Sequence, residues 1–561
     1  MARISRAAPS LAFALCIGAL CPLRAARAQQ PADLLLTGGD VFTADSTQPW
    51  AQAIAIRGDR IVAVGADSQI ARLAGPNTRR IALGGRFVVP GLTDAHVHPA
   101  IPIPGALELT PQGPPDPGPS AQQLAAALRA AVARATPGGM IVGTIGPLVL
   151  DDSSVDRDWL DRIAPRNPVE LAYFTGHGVI MNSAGLRAAG LHDGVADPPG
   201  GHYGRTKAAG RLNGRLYEYA IWNAATRLRQ NLPQDSAVAA LRRYAEQESA
   251  WGVTSVHTMG EPLLFDRLIS ALDASHAPLR WTVYRLYLPQ HDVSEAWTQP
   301  WPQPTSPLVR VAGMKWILDG APPDRRAALR APYSDRPGWY GAINYSPYDV
   351  RRILQHVLDT KVSIAMHISG DSTAALVLHT MQELAPADRW RAKRVRIEHG
   401  DGLTPDLVPI VKRLGAVVTQ NPLHTADSSL VVRIGRQRMA TFQPLRNLLR
   451  AGIPLALGSD MDGGPEANPW LNMMIALRDP ARPDQALTRE QALLAYTRGG
   501  AYVEGREAER GTLTPGKLAD FAVLSANPLT VPMTQLPHIT SVLTVLGGRI
   551  VYRRAAAQRR S

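Results

Sequence analysis

The stretch "VVPGLTDAHVHP" closes an apolar run with two histidines separated by one valine. Side chains alternate along a strand, so His96 and His98 share a face, and Asp94 shares it with them. An apolar strand has little reason to end in three polar groups aimed together unless chemistry needs them. The pattern recurs. "VAGMKWILDG" carries Lys315 in apolar company and ends at Asp319, "VSIAMHISGD" brings His367, "RVRIEHGD" His399, and "IPLALGSD" Asp460. A lone strand histidine is usually a satisfied polar group, and a short H-x-H arises by chance. Recurrence at successive strand ends is what carries weight. Neutral imidazoles with carboxylates suit zinc and similar divalent ions. Lys315 has two readings. A buried lysine shifts toward the neutral amine, which can add carbon dioxide and become a carbamate able to bridge two metals. The other reading is a core or substrate-facing lysine.

Positioning these groups in one place requires a particular framework. The chain's 561 residues exceed one ordinary domain but suit a barrel with a smaller partner. Residues 33–86 read as short strands with Gly-Asp and Gly-Gly turns, and "GKLADFAVLSANP" and "ITSVLTVLGGRIVYR" repeat that texture at the far end. The two ends together imply one small β domain, residues 29–88 plus 511–553. Between them, residues 89–510 alternate apolar runs with amphipathic stretches such as "PYDVRRILQHVLDT", the pattern of a (β/α)8 barrel of the α/β class. There is one more candidate strand than a barrel uses, so at least one belongs to an insertion. Barrel strands present their C-terminal ends at one mouth, where four histidines, a lysine and an aspartate would line a single cavity. The Pro- and Gly-rich "PAIPIPGALELTPQGPPDPGPS" and the hairpin-like "GVADPPGGHYGRTKAAGRLNGRLYEYA" follow strands and read as mouth loops.

Residues 1–28 stand apart. Arg3 and Arg6 precede "LAFALCIGAL", and Ala26-Arg27-Ala28 offers a small-x-small site, so the expectation is a signal peptide cut after Ala28 and a secreted or periplasmic protein. Both cysteines, Cys16 and Cys21, lie inside it, which leaves the mature chain only nitrogen and oxygen ligands for a metal. Net charge is +13, but the leader and the tail "YRRAAAQRRS" hold four arginines each. The body carries no basic stripe interleaved with aromatics, so nucleic acid is not an expected partner. Nor is a membrane, once the leader is cut. The expected partner is a small-molecule substrate, and assembly into a homo-oligomer is left open.

These motifs resemble the amidohydrolase superfamily, in its YtcJ-like branch. The likeness runs through "VVPGLTDAHVHP", "GHGVIMNS", "GMKWILDG" with "APYSDRPG", "MHISGDSTAALVL", "VRIEHGD", "TQNPLH", "LALGSDMDGGPEANPW" and "GTLTPGKLADFAVLSANP". It implies a (β/α)8 barrel with a small β-sandwich beside it and one or two divalent ions, most often zinc. Position by position, His96, His98, His367 and His399 look like metal ligands, Lys315 like the bridging carbamate, and Asp460 like the carboxylate that binds metal and handles the proton. The implied reaction is hydrolysis of a non-peptide carbon–nitrogen bond, as in an amide or N-substituted formamide, with Asp460 as general base and then acid. Deamination, cyclic-amide or ester hydrolysis on the same site are alternatives, and so is a catalytically silent metal- or solute-binding protein. His177 and Asn182 in "GHGVIMNS" and Glu218 in "GRLYEYA" are weaker candidates for substrate contact. The competing readings are loop stabilisation for the first two and a solvated helix face for Glu218. His257 reads as a packed strand-end histidine.

Overall fold

The computed structural model describes residues 30–109, 118–207, 210–260, 263–478 and 482–555. The expected leader and the last arginines of the tail fall outside the described residues. Eight parallel strands form one sheet: β1 (Leu92–Val97), β2 (Val253–Thr258), β3 (Arg280–Leu286), β4 (Val309–Ile317), β5 (Ser363–Ile368), β6 (Arg396–His399), β7 (Val417–Gln420) and β8 (Leu455–Leu457). Each pairs with its successor in chain order. Past the end of β8 the sheet curls back on β1. Asp460 N–H donates to His96 O at 2.8 Å, and His98 N–H donates to Met461 O at 3.0 Å. Asp94 fastens this seam rather than joining the histidines, its Oδ1 accepting from Ser459 N–H at 2.9 Å. Gly458 makes the approach possible, because a Cβ there would stand 2.6 Å from the backbone nitrogen of His96. The seam therefore sets Asp460 beside the paired histidines.

β1 and β2 are buried along their whole length, as strands covered by helices must be. The helix Pro347–Asp359 shows how the cover forms. Ser346 caps it by accepting from Asp349 N–H, Pro347 opens it, and Val350, Ile353, Leu354, Val357 and Leu358 make one apolar face. The helix Gln234–Trp251 stops at Gly252, whose φ of +90° few other residues adopt.

Two sheets from the chain ends form the sandwich. One is four-stranded and built from residues 32–82. The other pairs Phe87–Pro90 with Phe521–Leu524 and so joins the two termini. Leu36, Ile54 and Ile56 meet Val88, Phe521 and Val545 between them.

At least one candidate strand was expected to belong to an insertion, and two do. "MIVGTIG" and "PVELAYFT" form Ile141–Ile145 and Val169–Tyr173 of a separate six-stranded sheet inserted between β1 and β2. The glycine-rich hairpin is this sheet's edge, Gly201–Arg205 paired with Leu212–Glu218. Parallel pairing gives these two strands the same apolar texture as barrel strands. Only their partners distinguish them.

Candidate active site

At the C-terminal ends of the strands the imidazoles form a row. Ring centroids are 5.3 Å apart for His96 and His98, 4.7 Å for His96 and His399, and 4.3 Å for His399 and His367. Asp460 faces the first of these, its Oδ1 lying 3.2 Å from His96 Nε2 and 3.3 Å from His98 Nε2. One oxygen of each carboxylate or one nitrogen of each ring in His96, His399 and Asp460 falls within 4.8 Å of the others, close enough to hold one ion. Lys315 reaches the same place from β4, with Nζ 3.3 Å from His96 Nε2. Both His399 and Asp460 sit at positive φ, +66° and +61°. Non-glycine residues held there mark ends of strands where the backbone is bent to aim a side chain.

The donor chemistry suits a divalent metal. His96 Nδ1–H donates to Glu398 Oε2 at 2.8 Å, His98 Nδ1–H to Gly260 O at 3.0 Å, and His399 Nδ1–H to Asn421 Oδ1 at 2.9 Å. Each outer bond fixes a tautomer and leaves the Nε2 lone pair for a ligand bond. His367 is turned the other way, with Nε2 3.4 Å from Ser369 Oγ. Burial, reinforced by the Lys315 ammonium, pushes His96 down to about 3, and burial holds His367 and His399 well below the ordinary range. These rings are neutral at physiological pH, the form a metal takes. Burial also pushes Lys315 down to about 8, which makes the free amine accessible.

Several functional groups escaped the sequence reading. Glu398 is buried beside Arg396, which donates to it from Nε at 2.7 Å. Burial would raise its pKa, but Arg396 and His96 hold it below the usual carboxylate range. Arg396 and Glu398, charged at alternate positions of an apolar run, were the available signal. His424 lies within the quoted "TQNPLH", on the turn after β7. Its Nε2 is 3.0 Å from Asp460 Oδ2 and its Nδ1 is 3.3 Å from Asp401 Oδ2. Despite burial, these two carboxylates push His424 up to about 10, so it stands as an imidazolium. Asp460 in turn is kept ionised by the surrounding histidines although it is buried.

Other expected groups separate into those at the site and those away from it. His177 approaches the far end of the row, its ring 4.5 Å from His367, and Glu218 Oε2 accepts from its Nδ1–H at 2.9 Å. The expected solvated face for Glu218 is wrong, because the residue is 1% exposed. Asn182 does not face the cluster. Its side chain accepts from Gly185 and Val169 N–H and donates to Ala164 and Asn167 carbonyls, so it caps a helix and is saturated by backbone. Asp319 is likewise spent on the amides of Ala328, Ser369 and Gly370. His257 is fully buried as a neutral ring, with Nε2 2.9 Å from Glu504 Oε2 and Nδ1 accepting from Arg396 at 3.0 Å, the packed histidine expected.

A family described as "Amidohydrolase family" matches residues 79–552. The chain belongs to the amidohydrolase family. Among its relatives, it is 29% identical to protein LONG AFTER FAR-RED 3 of Arabidopsis thaliana, covering 93% of this chain and 92% of that one. It is 26% identical to the putative amidohydrolase YtcJ of Bacillus subtilis strain 168, covering 92% and 99%. With the N-substituted formamide deformylase of Arthrobacter pascens it shares 25% identity, covering 94% and 100%. In fold this amidohydrolase resembles an uncharacterized metal-dependent hydrolase from Pyrococcus horikoshii OT3, with a TM-score of 0.66 at 21% identity over 89% of this chain and 99% of that one.

Proposed function

We propose that this amidohydrolase is an exported enzyme that hydrolyses a non-peptide carbon–nitrogen bond of the amide or N-substituted formamide type, using one or two divalent ions, most simply zinc. One observation carries the reading. The ends of β1 and β8 set Asp460 Oδ1 3.2 Å from His96 Nε2 and 3.3 Å from His98 Nε2, with the His399 ring from β6 alongside. His96, His98, His367, His399 and Asp460 would hold the metal, and Lys315, as a carbamate, would join them. A divalent ion there supplies an acidified water and a Lewis acid for the substrate carbonyl.

The protein's own groups do the rest. Asp460, ionised and hydrogen-bonded at Oδ2 by His424, is the acceptor for the water's proton and later returns it to the leaving nitrogen. The His424 imidazolium, anchored on Asp401, fixes which oxygen of Asp460 turns toward the histidines. Glu398 and Arg396 lock the His96 ring from behind. Carbamate formation at Lys315 consumes its free amine and one carbon dioxide and releases one proton, and the lowered lysine favours it. The basic start and apolar run of residues 1–28 support export. The 25% identity to an N-substituted formamide deformylase supports the choice of bond.

The test is metal analysis of the purified protein together with a panel of N-acyl and N-formyl compounds. The expected result is a bound divalent ion and turnover of at least one member. Tight metal binding without turnover of any member would favour the silent binding protein. A whole-protein mass spectrum or density map lacking one carbon dioxide on Lys315 would reject the carbamate.

A further inference from the structure

The row of imidazoles does not end with the barrel. After His96, His399 and His367 comes His177, 4.5 Å from His367 centroid to centroid, and it belongs to the inserted sheet. It sits in the turn between the strands Val169–Tyr173 and Gly178–Met181. Its Nδ1 is committed to Glu218, and its Nε2 has no hydrogen-bond partner among the described residues.

The structure holds this one ring with unusual care. Glu218 is buried and lies at φ +55°, a conformation a glutamate rarely adopts, at the start of the helix Tyr219–Arg229. Its carboxylate also accepts from Asn344 Nδ2 at 3.3 Å and lies 3.6 Å from Arg326 Nε. Asn344 in turn donates to Ile317 O at 3.1 Å, at the end of the strand that carries Lys315. On the barrel side Gly320 leaves the room required, since a Cβ there would stand 2.3 Å from Glu218 Oε1. Strain on one side and a missing side chain on the other both serve to fix one carboxylate. What that carboxylate orients is an imidazole beside His367 whose other nitrogen is left free. Docking of the insertion alone would need no such nitrogen, and the barrel already supplies six donors for metal.

We propose that His177 contacts the substrate, its Nε2 hydrogen-bonding the polar scissile group from the end of the row away from His96, and that Glu218 is the positioning residue that orients it. The inference rests on the hydrolase reading and deepens it, because it makes the insertion part of the active site.

The experiment uses the full metal-loaded chain and acetohydroxamate, an amide-shaped chelator, as a binding probe. His177→Gln is expected to weaken acetohydroxamate at least about 10-fold while metal content stays at the wild-type value, the loss of one aimed hydrogen bond. For any panel compound the wild type hydrolyses, His177→Gln should lower kcat/KM about 100-fold. Glu218→Gln should lower it about 10-fold, as a residue supporting another does. The double variant should be no worse than His177→Gln alone, since Glu218 acts through His177, whereas a purely structural role would add its own loss. Added imidazole should partly restore His177→Ala. Unchanged acetohydroxamate affinity and kcat/KM in His177→Gln would overturn the proposal, and so would loss of metal from that variant, which would make His177 a ligand. If Glu218→Gln does not fold, His177→Gln decides alone. A wild type that turns over nothing yet binds acetohydroxamate more tightly than His177→Gln does would sink the hydrolase reading and leave this contact standing.

Discussion

The two ends of the imidazole row are built on different principles. At one end His96 and His98 leave a single strand, and the barrel seam brings Asp460 to them through backbone bonds of 2.8 and 3.0 Å. At the other end His177 hangs from a turn of an inserted sheet and is steered by a buried carboxylate on the same sheet. The first arrangement is a product of strand alternation and barrel closure, so it is rigid wherever the barrel folds. The second depends on side-chain contacts between distant segments. Chemistry common to a family belongs on the first kind of support, and discrimination between substrates on the second.

That contrast can be broken most severely at the strand end. Asp460→Asn keeps shape and size but removes the proton acceptor, and turnover should fall at least about a thousandfold in a protein that still folds, with an unchanged far-ultraviolet circular dichroism spectrum. Measured turnover within tenfold of wild type would make the two ends equivalent. Stripping the metal with a chelator comes next. Activity should vanish and return on readdition, and the melting temperature should fall in the stripped protein, because a ligand bound only by the native state stabilises it. A melt indifferent to metal would mean that the folded chain holds no ion.

Smaller effects sharpen the comparison from behind the strand end. Glu398→Gln leaves the His96 ring without its anionic partner, and affinity for zinc, read by competition with a chromophoric chelator, should weaken about 10- to 100-fold. An unaltered affinity would mean the ring is fixed by packing alone. Deeper still, Glu504 lies unexposed against Arg510 and His257, and although burial disfavours the charge, these partners hold it well below the usual carboxylate range. A depressed carboxylate contributes stability above its unfolded pKa of 4.5, and that contribution is lost as the pH falls. Glu504→Gln should therefore cost about 3 kcal/mol at neutral pH by leaving the Arg510 guanidinium without its counter-charge. Its stability should also decline less steeply than that of the wild type between neutral pH and acid. Parallel acid limbs in denaturant titrations of the two proteins would contradict this.

The strand end was legible in the sequence because alternation and apolar runs are local signals. His96, His98, His367, His399 and Asp460 each stand where an apolar run stops and Lys315 stands inside one, and the structure gathers them at one mouth. The insertion was not legible as such. Ile141–Ile145 and Val169–Tyr173 pair in parallel and look like barrel strands until their neighbours are known. Glu218 read as a helix face because a helix does begin beside it, while its burial comes from Gly320, Arg326 and Asn344, far along the chain. His424 was in view but unassigned, since only the fold sets it between Asp401 and Asp460.

The most direct measurement is anomalous diffraction at the zinc edge from crystals of the metal-loaded protein. The account expects the strongest peak among Nε2 of His96, Nε2 of His98 and the carboxylate of Asp460, with any second peak toward His367 and His399. Strong peaks elsewhere, with these side chains bonded only to one another, would contradict it.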